Sequence, residues 1–133
     1  MGNALRHKLV PEDIVKSEPA LWIKADNTTE HGRLILTPTR LLFIKNNGHN
    51  FLFWIAIKNK KVTPALEIDL DTVNCVAHET FMVDKNILAV CYLQYERARF
   101  SVLNYEDWEK ALNMQQMTAH IYAQQFSVPD ISI

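Results

Sequence analysis

The feature that most constrains the fold is a series of short β-type segments followed by one amphipathic segment at the end of the chain. Between Leu21 and Leu103, runs of aliphatic and aromatic residues alternate with turn residues, which is typical of antiparallel strands. After Leu103 the apolar residues recur at helical spacing instead. The sequence therefore predicts an α+β fold, mainly β, in which one C-terminal helix covers an open end of a sandwich or barrel.

Seven strand candidates follow one another along the chain. Their apolar runs are Leu21–Ile23, Leu34–Leu36, Leu41–Ile44, Phe51–Ile57, Leu66–Val76, Ile87–Leu93 and Arg97–Leu103. Within the fifth candidate, Leu66, Ile68 and Leu70 alternate with acidic residues, and the phase then shifts at Val73. Such a shift predicts a bulge or kink in that strand.

Phe51–Ile57 is compatible with more than one structure because it is apolar at every position. A strand covered on both faces, a buried helical turn and an exposed insertion loop all fit this pattern. We favour the covered strand, since seven apolar residues in mid-domain suit a sandwich core and would form a sticky patch if exposed.

The C-terminal segment is predicted to be a helix from Tyr105 to Phe126. Asn104 can cap it, and Asp107 lies where the helix dipole favours a negative charge. Trp108 and Leu112 fall on one stripe with other apolar residues of the segment, so we expect Trp108 in the core.

The chain is expected to form one domain, residues 20–126, after a polar leader (residues 1–19) and before a short tail (residues 127–133). Charged residues make up 22% and the net charge is −1, so no global positive field attracts nucleic acid. No secretory signal is visible, and the longest apolar run is far short of the roughly 20 residues that span a bilayer. Cys75 and Cys91 lie in apolar, strand-like surroundings, which predicts buried free thiols and a cytoplasmic protein.

Three stretches resemble the GRAM domains and the related bacterial members of the pleckstrin-homology superfamily. They are Gly32–Phe43 (GRLILTPTRLLF), Glu67–Val73 (EIDLDTV), and Arg99–Val102 with the Asp107-Trp108 and Ala111-Leu112 pairs that follow it. The resemblance covers about residues 20–113. It implies a seven-stranded, strongly bent antiparallel sheet or partly open barrel, closed at one end by the helix.

Nothing in the sequence argues for catalysis. The five histidines fall in different elements without metal-ligand spacing, and the three glycines form no phosphate-binding loop. We therefore expect a non-enzymatic protein with no catalytic residue, metal, cofactor or small-molecule substrate.

The resemblance implies that phosphoinositide binding would depend on Lys and Arg near the end of the first strand. Here Lys24 and Arg33 flank that stretch, but Asp26 and Glu30 lie inside it and would repel a polyanionic headgroup. Lys58, Lys60 and Lys61 follow the apolar run and form a second candidate surface for anionic membranes. The alternative is that these three lysines lie in a solvated turn and bind no ligand.

The remaining interpretation is a protein-interaction module. Edge strands of a bent sheet carry unpaired backbone groups that a partner strand can use. Met114, Met117 and Ile121 lie off the Trp108 stripe, so they form either an adaptable exposed surface or part of a wide buried stripe. We predict a cytoplasmic adaptor that works through protein contacts, including a second copy of the chain, or through weak contact with a membrane surface. The alternatives are an anionic-lipid-binding domain and a self-associating structural protein.

Overall fold

A computed structural model describes residues 14–45 and 63–126 of the chain. Its strands are β1 (Lys16–Ile23), β2 (Thr29–Leu36), β3 (Arg40–Lys45), β4 (Leu66–Asp69), β5 (Val73–Phe81), β6 (Asp84–Tyr92) and β7 (Glu96–Ser101), followed by helix α1 (Tyr105–Phe126). A single 3-10 turn, Leu70–Thr72, joins β4 to β5. No helix within the described residues is long and apolar enough to cross a bilayer.

The strands form one antiparallel sheet in the order β4-β3-β2-β1-β7-β6-β5. β4 and β5 lie at opposite ends of this order, although only three residues separate them in the chain. The sheet must therefore bend until its two ends meet at the Leu70–Thr72 corner, where they are not paired with each other. The result is a bent, unclosed sheet with two terminal strands, as the resemblance implied.

The segment predicted as one strand from Leu66 to Val76 is in fact two strands. The expected break in phase is confirmed, since the 3-10 turn interrupts the segment and the β5–β6 register shifts between Val73 and Cys75. The prediction was wrong in treating the two parts as one strand, because β4 pairs with β3 whereas β5 pairs with β6. The candidate strand Phe51–Ile57 lies outside the described residues.

β1 begins at Lys16, so residues 16–19 belong to the first strand rather than to the predicted leader. Pro19 lies within β1, although proline cannot donate to a strand ladder. However, β7 pairs with β1 only from Leu21 to Ile23, so Pro19 lies where one edge of β1 has no ladder partner among the described residues. Proline is tolerated at such an edge.

The core lies between the concave face of the sheet and α1. Trp108 is completely buried there, as predicted, and Phe43 contacts Trp22 and Phe100 at ring-centroid distances of 5.7 and 6.0 Å. The buried residues of the core are Ala20, Leu34, Leu36, Leu41, Phe43, Ile68, Leu70, Leu88, Val90, Ala98, Phe100, Val102, Tyr105, Trp108 and Leu112. Since side chains alternate along a strand, these residues define which face of each strand points inward.

The start of α1 also agrees with the sequence. The backbone N–H of Asp107 donates to Asn104 Oδ1 at 3.1 Å, which is the predicted cap, and the N–H of Tyr105 donates to Asn86 Oδ1 at 3.1 Å. Each bond satisfies a donor that the helix itself leaves without a partner. The helix covers the whole predicted range, Tyr105–Phe126.

The two cysteines are not buried, so that prediction was wrong. Cys75 is exposed and Cys91 is half-buried. Leu88 and Val90 point from β6 into the core, so Cys91, one residue further along the strand, points to the opposite face. The apolar neighbours in sequence therefore indicated a strand correctly but not which of its faces the thiols occupy.

Candidate functional site

The turn between β1 and β2 is where the resemblance implied a phosphate-binding site. It is tight: the Lys24 N–H donates to Thr28 O and the Asn27 N–H donates to Lys24 O, each at 2.8 Å. Asp26 Oδ1 accepts bonds from the hydroxyl of Thr28 at 2.6 Å and from its backbone N–H at 3.0 Å. These bonds, the hydroxyl first, lower the pKa of Asp26, because they stabilise its charged form.

The basic groups around this turn are already engaged. Lys24 Nζ lies 3.2 Å from Glu30 Oε1, and Lys45 Nζ lies 4.0 Å from the same oxygen. Arg99 Nη2 donates to Asn27 Oδ1 at 2.8 Å and to Lys24 O at 3.3 Å, so it braces the turn. The turn is therefore a network in which charges and polar groups satisfy one another.

The two predicted binding residues of this region do not come together. Lys24 Nζ lies over the Trp22 ring, 5.2 Å from its centroid, and Trp22 packs against the core. Arg33 precedes the core residue Leu34 on β2, so it points to the opposite face, where it donates to Ser17 Oγ at 3.0 Å. Lys58, Lys60 and Lys61, the other predicted binding residues, lie outside the described residues.

A groove of about 710 Å³ lies between the β4–β5 corner and α1. Its lining residues are Leu70, Asp71, Val73, Asn74, Cys75, Val76, Glu109, Asn113, Gln116 and Met117. On the helix, Asn113 follows Glu109 by four residues, and Gln116 and Met117 follow Asn113 by three and four, so these residues form one face of α1. The groove is thus a channel with one wall from the sheet and one from the helix.

Gln116 joins the two walls of this groove. Its side-chain amide donates to Leu70 O at 3.1 Å and to Val73 O at 3.2 Å. The two carbonyls belong to the corner between β4 and β5, so one helix side chain spans the turn and the first residue of β5. Gln116 therefore sets the distance between α1 and the beginning of β5.

Within the part of the chain that the structure describes, β5 is a terminal strand of the sheet and pairs only with β6. Its other edge therefore carries backbone groups without a strand partner among the described residues. Asn74 and Cys75, both groove residues, are exposed. The groove thus combines an open strand edge with side chains from a helix.

The methionines predicted to lie off the helix stripe are exposed. Met114 retains 57% of its accessible surface, Met117 62% and Ile121 50%, which excludes the alternative of a wide buried stripe. Met117 lines the groove, whereas Met114 does not. The sequence indicated this surface, but it did not indicate that Met117 would face the first residues of β5.

Titratable groups are sparse in the groove. Asp71 and Glu109 supply its negative charge, and none of the described lining residues is a lysine or arginine. Within residues 14–45 and 63–126, no three His, Cys, Asp or Glu side chains converge to hold a metal ion. The groove can therefore present backbone groups, apolar surface and negative charge to a ligand.

No family model matches the chain, and no curated protein matches it. Among solved structures it is similar to the Slm1-PH domain in complex with inositol-4-phosphate, with 15% identity, 79% of this chain and 94% of that chain covered, and a TM-score of 0.54. It is also similar to the carboxyl-terminal PH domain of pleckstrin (16% identity, 77% and 97% covered, TM-score 0.57). A third similar structure is a chain of the complex of human RhoA with a DH/PH fragment of PDZRHOGEF (11% identity, 80% and 29% covered, TM-score 0.59).

These similarities agree with the fold that the strand order, the bend of the sheet and the C-terminal helix indicate. Identities of this size concern the fold and not the ligand. The chain therefore has a pleckstrin-homology-like fold, with seven antiparallel strands in one bent, unclosed sheet and a C-terminal helix that closes over its core.

Proposed function

We propose that this protein is a non-enzymatic adaptor that binds an extended segment of a partner protein along the outer edge of β5, in the groove beside α1. The observation that carries the proposal is the combination of a terminal strand with an adjacent groove of about 710 Å³. An extended peptide can pair with such an edge through its backbone, while its alternate side chains enter the groove.

The helix wall supports an apolar contact. Met117 is 62% exposed and borders the groove, and Val76 faces it from β5. Methionine is flexible and polarizable, so it adapts to side chains of different shapes. We therefore expect an apolar residue of the partner segment to pack between these two side chains.

The charge of the groove supports a basic partner segment. Asp71 at the corner and Glu109 on the helix are the charged residues among its described lining residues, and both are acidic. Opposite charges at the rim speed the encounter and orient the bound segment, although each exposed pair adds little affinity. The proposed ligand is thus an extended segment that alternates apolar residues with lysine or arginine.

A displayed library of random peptides, selected against the full chain, would test the proposal. The best-binding peptide, labelled with a fluorophore, should bind in solution, and Met117→Glu should weaken it by at least about tenfold, because a charge would enter an apolar contact. Met114→Glu is the matched control, since Met114 is similarly exposed on α1 but does not line the groove. Equal losses in both variants would contradict the proposal.

Amide chemical shifts would locate the bound peptide. We expect the largest changes in Asn74–Val76 and on the groove face of α1, with little change in the turn that contains Asp26. Changes centred on that turn would overturn the proposed site. A concentration-dependent dimer in light scattering, abolished by Met117→Glu, would mean that a second copy supplies the segment.

A second candidate function is contact with an anionic membrane surface through Lys58, Lys60 and Lys61. The observation that favours it is the similarity to the Slm1-PH domain, which was solved with inositol-4-phosphate. Lys24 is a weaker candidate because it is paired with Glu30, and Arg33 bonds with Ser17.

Co-sedimentation with vesicles of phosphatidylcholine and phosphatidylserine separates the two functions. Binding at low salt that is lost on changing the three lysines to Glu would support the membrane function. The same triple variant should leave peptide binding in the groove unchanged.

A further inference from the structure

Cys75 and Cys91 lie directly opposite each other on the neighbouring strands β5 and β6. Both thiols are free, and they share the sheet face that points away from the core. Cys75 is exposed and Cys91 is half-buried, so a small solute reaches the pair from solvent.

The spacing of an antiparallel ladder brings such a pair close to bonding distance. Directly opposite residues have Cβ atoms about 4.5–5.5 Å apart. A disulfide needs a Cβ separation of about 3.5–4.5 Å, so a small approach of the two strands is sufficient.

β5 has the local freedom for this approach. One residue of β5, Asn74, separates Val73 from Cys75, whereas their partners Tyr92 and Cys91 are adjacent on β6, so Asn74 is an extra residue in the ladder. Such a bulge interrupts the regular pairing immediately before Cys75. The ladder is therefore interrupted immediately beside the position where the strand must move.

The two thiols are not equivalent. A hydrogen bond with Cys75, followed by burial, raises the pKa of Cys91, so Cys91 keeps its proton. Thiolates are the nucleophiles in thiol oxidation, and accessibility controls which thiol reacts. Oxidation therefore begins at the exposed Cys75, and Cys91 is the neighbouring thiol that reacts with the oxidised Cys75.

We propose that Cys75 and Cys91 are a redox modification site that forms a reversible cross-strand disulfide on exposure to a peroxide. The Cys75 sulfur attacks one peroxide oxygen and becomes a sulfenic acid, and the other oxygen leaves as water. The Cys91 sulfur then attacks the Cys75 sulfur, the S–O bond breaks, and a second water leaves. The two sulfurs together lose two electrons, which the peroxide gains.

The bond would hold the terminal strand β5 to β6 beside the groove, because Cys75 is one of the groove residues. The ladder spacing is wider than the spacing that a disulfide prefers, so a bond closed without full approach of the strands is strained, and strained disulfides are readily reduced. The site is therefore suited to reversible oxidation, and it does not depend on the groove being the binding site proposed above.

The full chain, reduced and freed of reductant, would be treated with a small excess of hydrogen peroxide. Both free thiols should be lost, the intact mass should fall by two hydrogen atoms, and a peptide map should join Cys75 to Cys91. Dithiothreitol should restore both thiols. Persistence of the two thiols, formation of dimers between chains only, or direct conversion to sulfinic acid would overturn the proposal.

Single serine variants test the assigned order of attack, with circular dichroism as a check that each is folded. Cys91→Ser should stop at a sulfenic acid on Cys75, which dimedone traps. Cys75→Ser should consume peroxide several-fold more slowly than Cys91→Ser. Equal rates for the two variants would contradict the assignment of Cys75 as the attacking thiol.

Discussion

The turn between β1 and β2 and the groove between β5 and α1 differ in whether their polar groups have partners. In the turn, Asp26 bonds with Thr28, Lys24 pairs with Glu30, and Arg99 bonds with Asn27. In the groove, one edge of β5 has no strand partner among the described residues, and Met117 is largely exposed.

This difference indicates where a ligand gains most. A ligand that binds the turn must break bonds that the protein has already made, so part of its own binding energy is lost. A strand that binds the β5 edge replaces water at backbone groups and covers apolar surface. The resemblance in fold favours the turn as a binding site, whereas the contacts in this chain favour the groove.

Trp108→Ala has the largest expected effect, because it removes the side chain that fixes the helical wall of the groove. Loss of a fully buried tryptophan should lower the free energy of unfolding by about 3–5 kcal/mol, measured by urea denaturation. Trp108→Phe is the control: Trp108 Nε1 has no hydrogen-bond partner among the described residues, so phenylalanine forfeits volume but no hydrogen bond there. Equal losses in both variants would contradict this account.

Gly32→Ala tests the packing of β2 against β3, next to the turn between β1 and β2. A Cβ at this position would lie 2.2 Å from Ile44 O and 2.5 Å from an atom of the Phe43 ring, so β2 and β3 would have to separate. We expect a loss of about 1–3 kcal/mol in the free energy of unfolding, which is typical of overpacking. A neutral effect in thermal or urea unfolding would show that the two strands separate without cost.

Gln116→Ala tests the link between the groove walls. It removes the donor to Leu70 O and Val73 O and should lower the free energy of unfolding by about 1–2 kcal/mol. Gln115→Ala is the matched control on the same helix, and it should have a smaller effect. Faster amide hydrogen exchange at the start of β5 in Gln116→Ala alone would sharpen the comparison, whereas equal exchange in both variants would contradict it.

Thr28→Val tests the network of the turn and has the smallest expected effect. Removing the hydroxyl should move the pKa of Asp26 up toward its ordinary value of 3.8, because the largest contribution to its lowering is lost. In the wild type, a lowered pKa adds stability at pH values above the ordinary pKa, and that stability is lost as the pH falls through the lowered value. A carbon-detected NMR titration measures the shift, and an unchanged pKa would contradict the assigned cause.

Much of the fold could be predicted because its signals are local. Asn104 and Tyr105 mark the start of α1, and alternation on β7 separates Phe100, which faces the core, from Arg99. The division of Leu66–Val76 could not be predicted, because bulging within one strand and crossing to the far end of the sheet produce the same phase shift. The error on Cys75 and Cys91 has a similar origin, since neighbours in sequence do not show which face of a strand is covered.

The candidate site was predicted only in part. Met114, Met117 and Ile121 were recognised as lying off the main stripe of α1, and their exposure agrees with one of the two alternatives. The position of this helix face beside β5 depends on the bend of the sheet, and the sequence does not show that bend directly.

The amino-acid sequence by itself determined the local features: an antiparallel β region, a capped helix with Trp108 on its buried face, and methionines that lie off the Trp108 stripe of the same helix. These depend on periodicity and on capping within a few residues. Only the tertiary structure decided that β4 and β5 end the sheet, that Gln116 bridges their corner to α1, and that Cys75 lies opposite Cys91. Each of these brings together residues far apart in the chain, and such contacts are set by strand pairing and the closure of the sheet over its core.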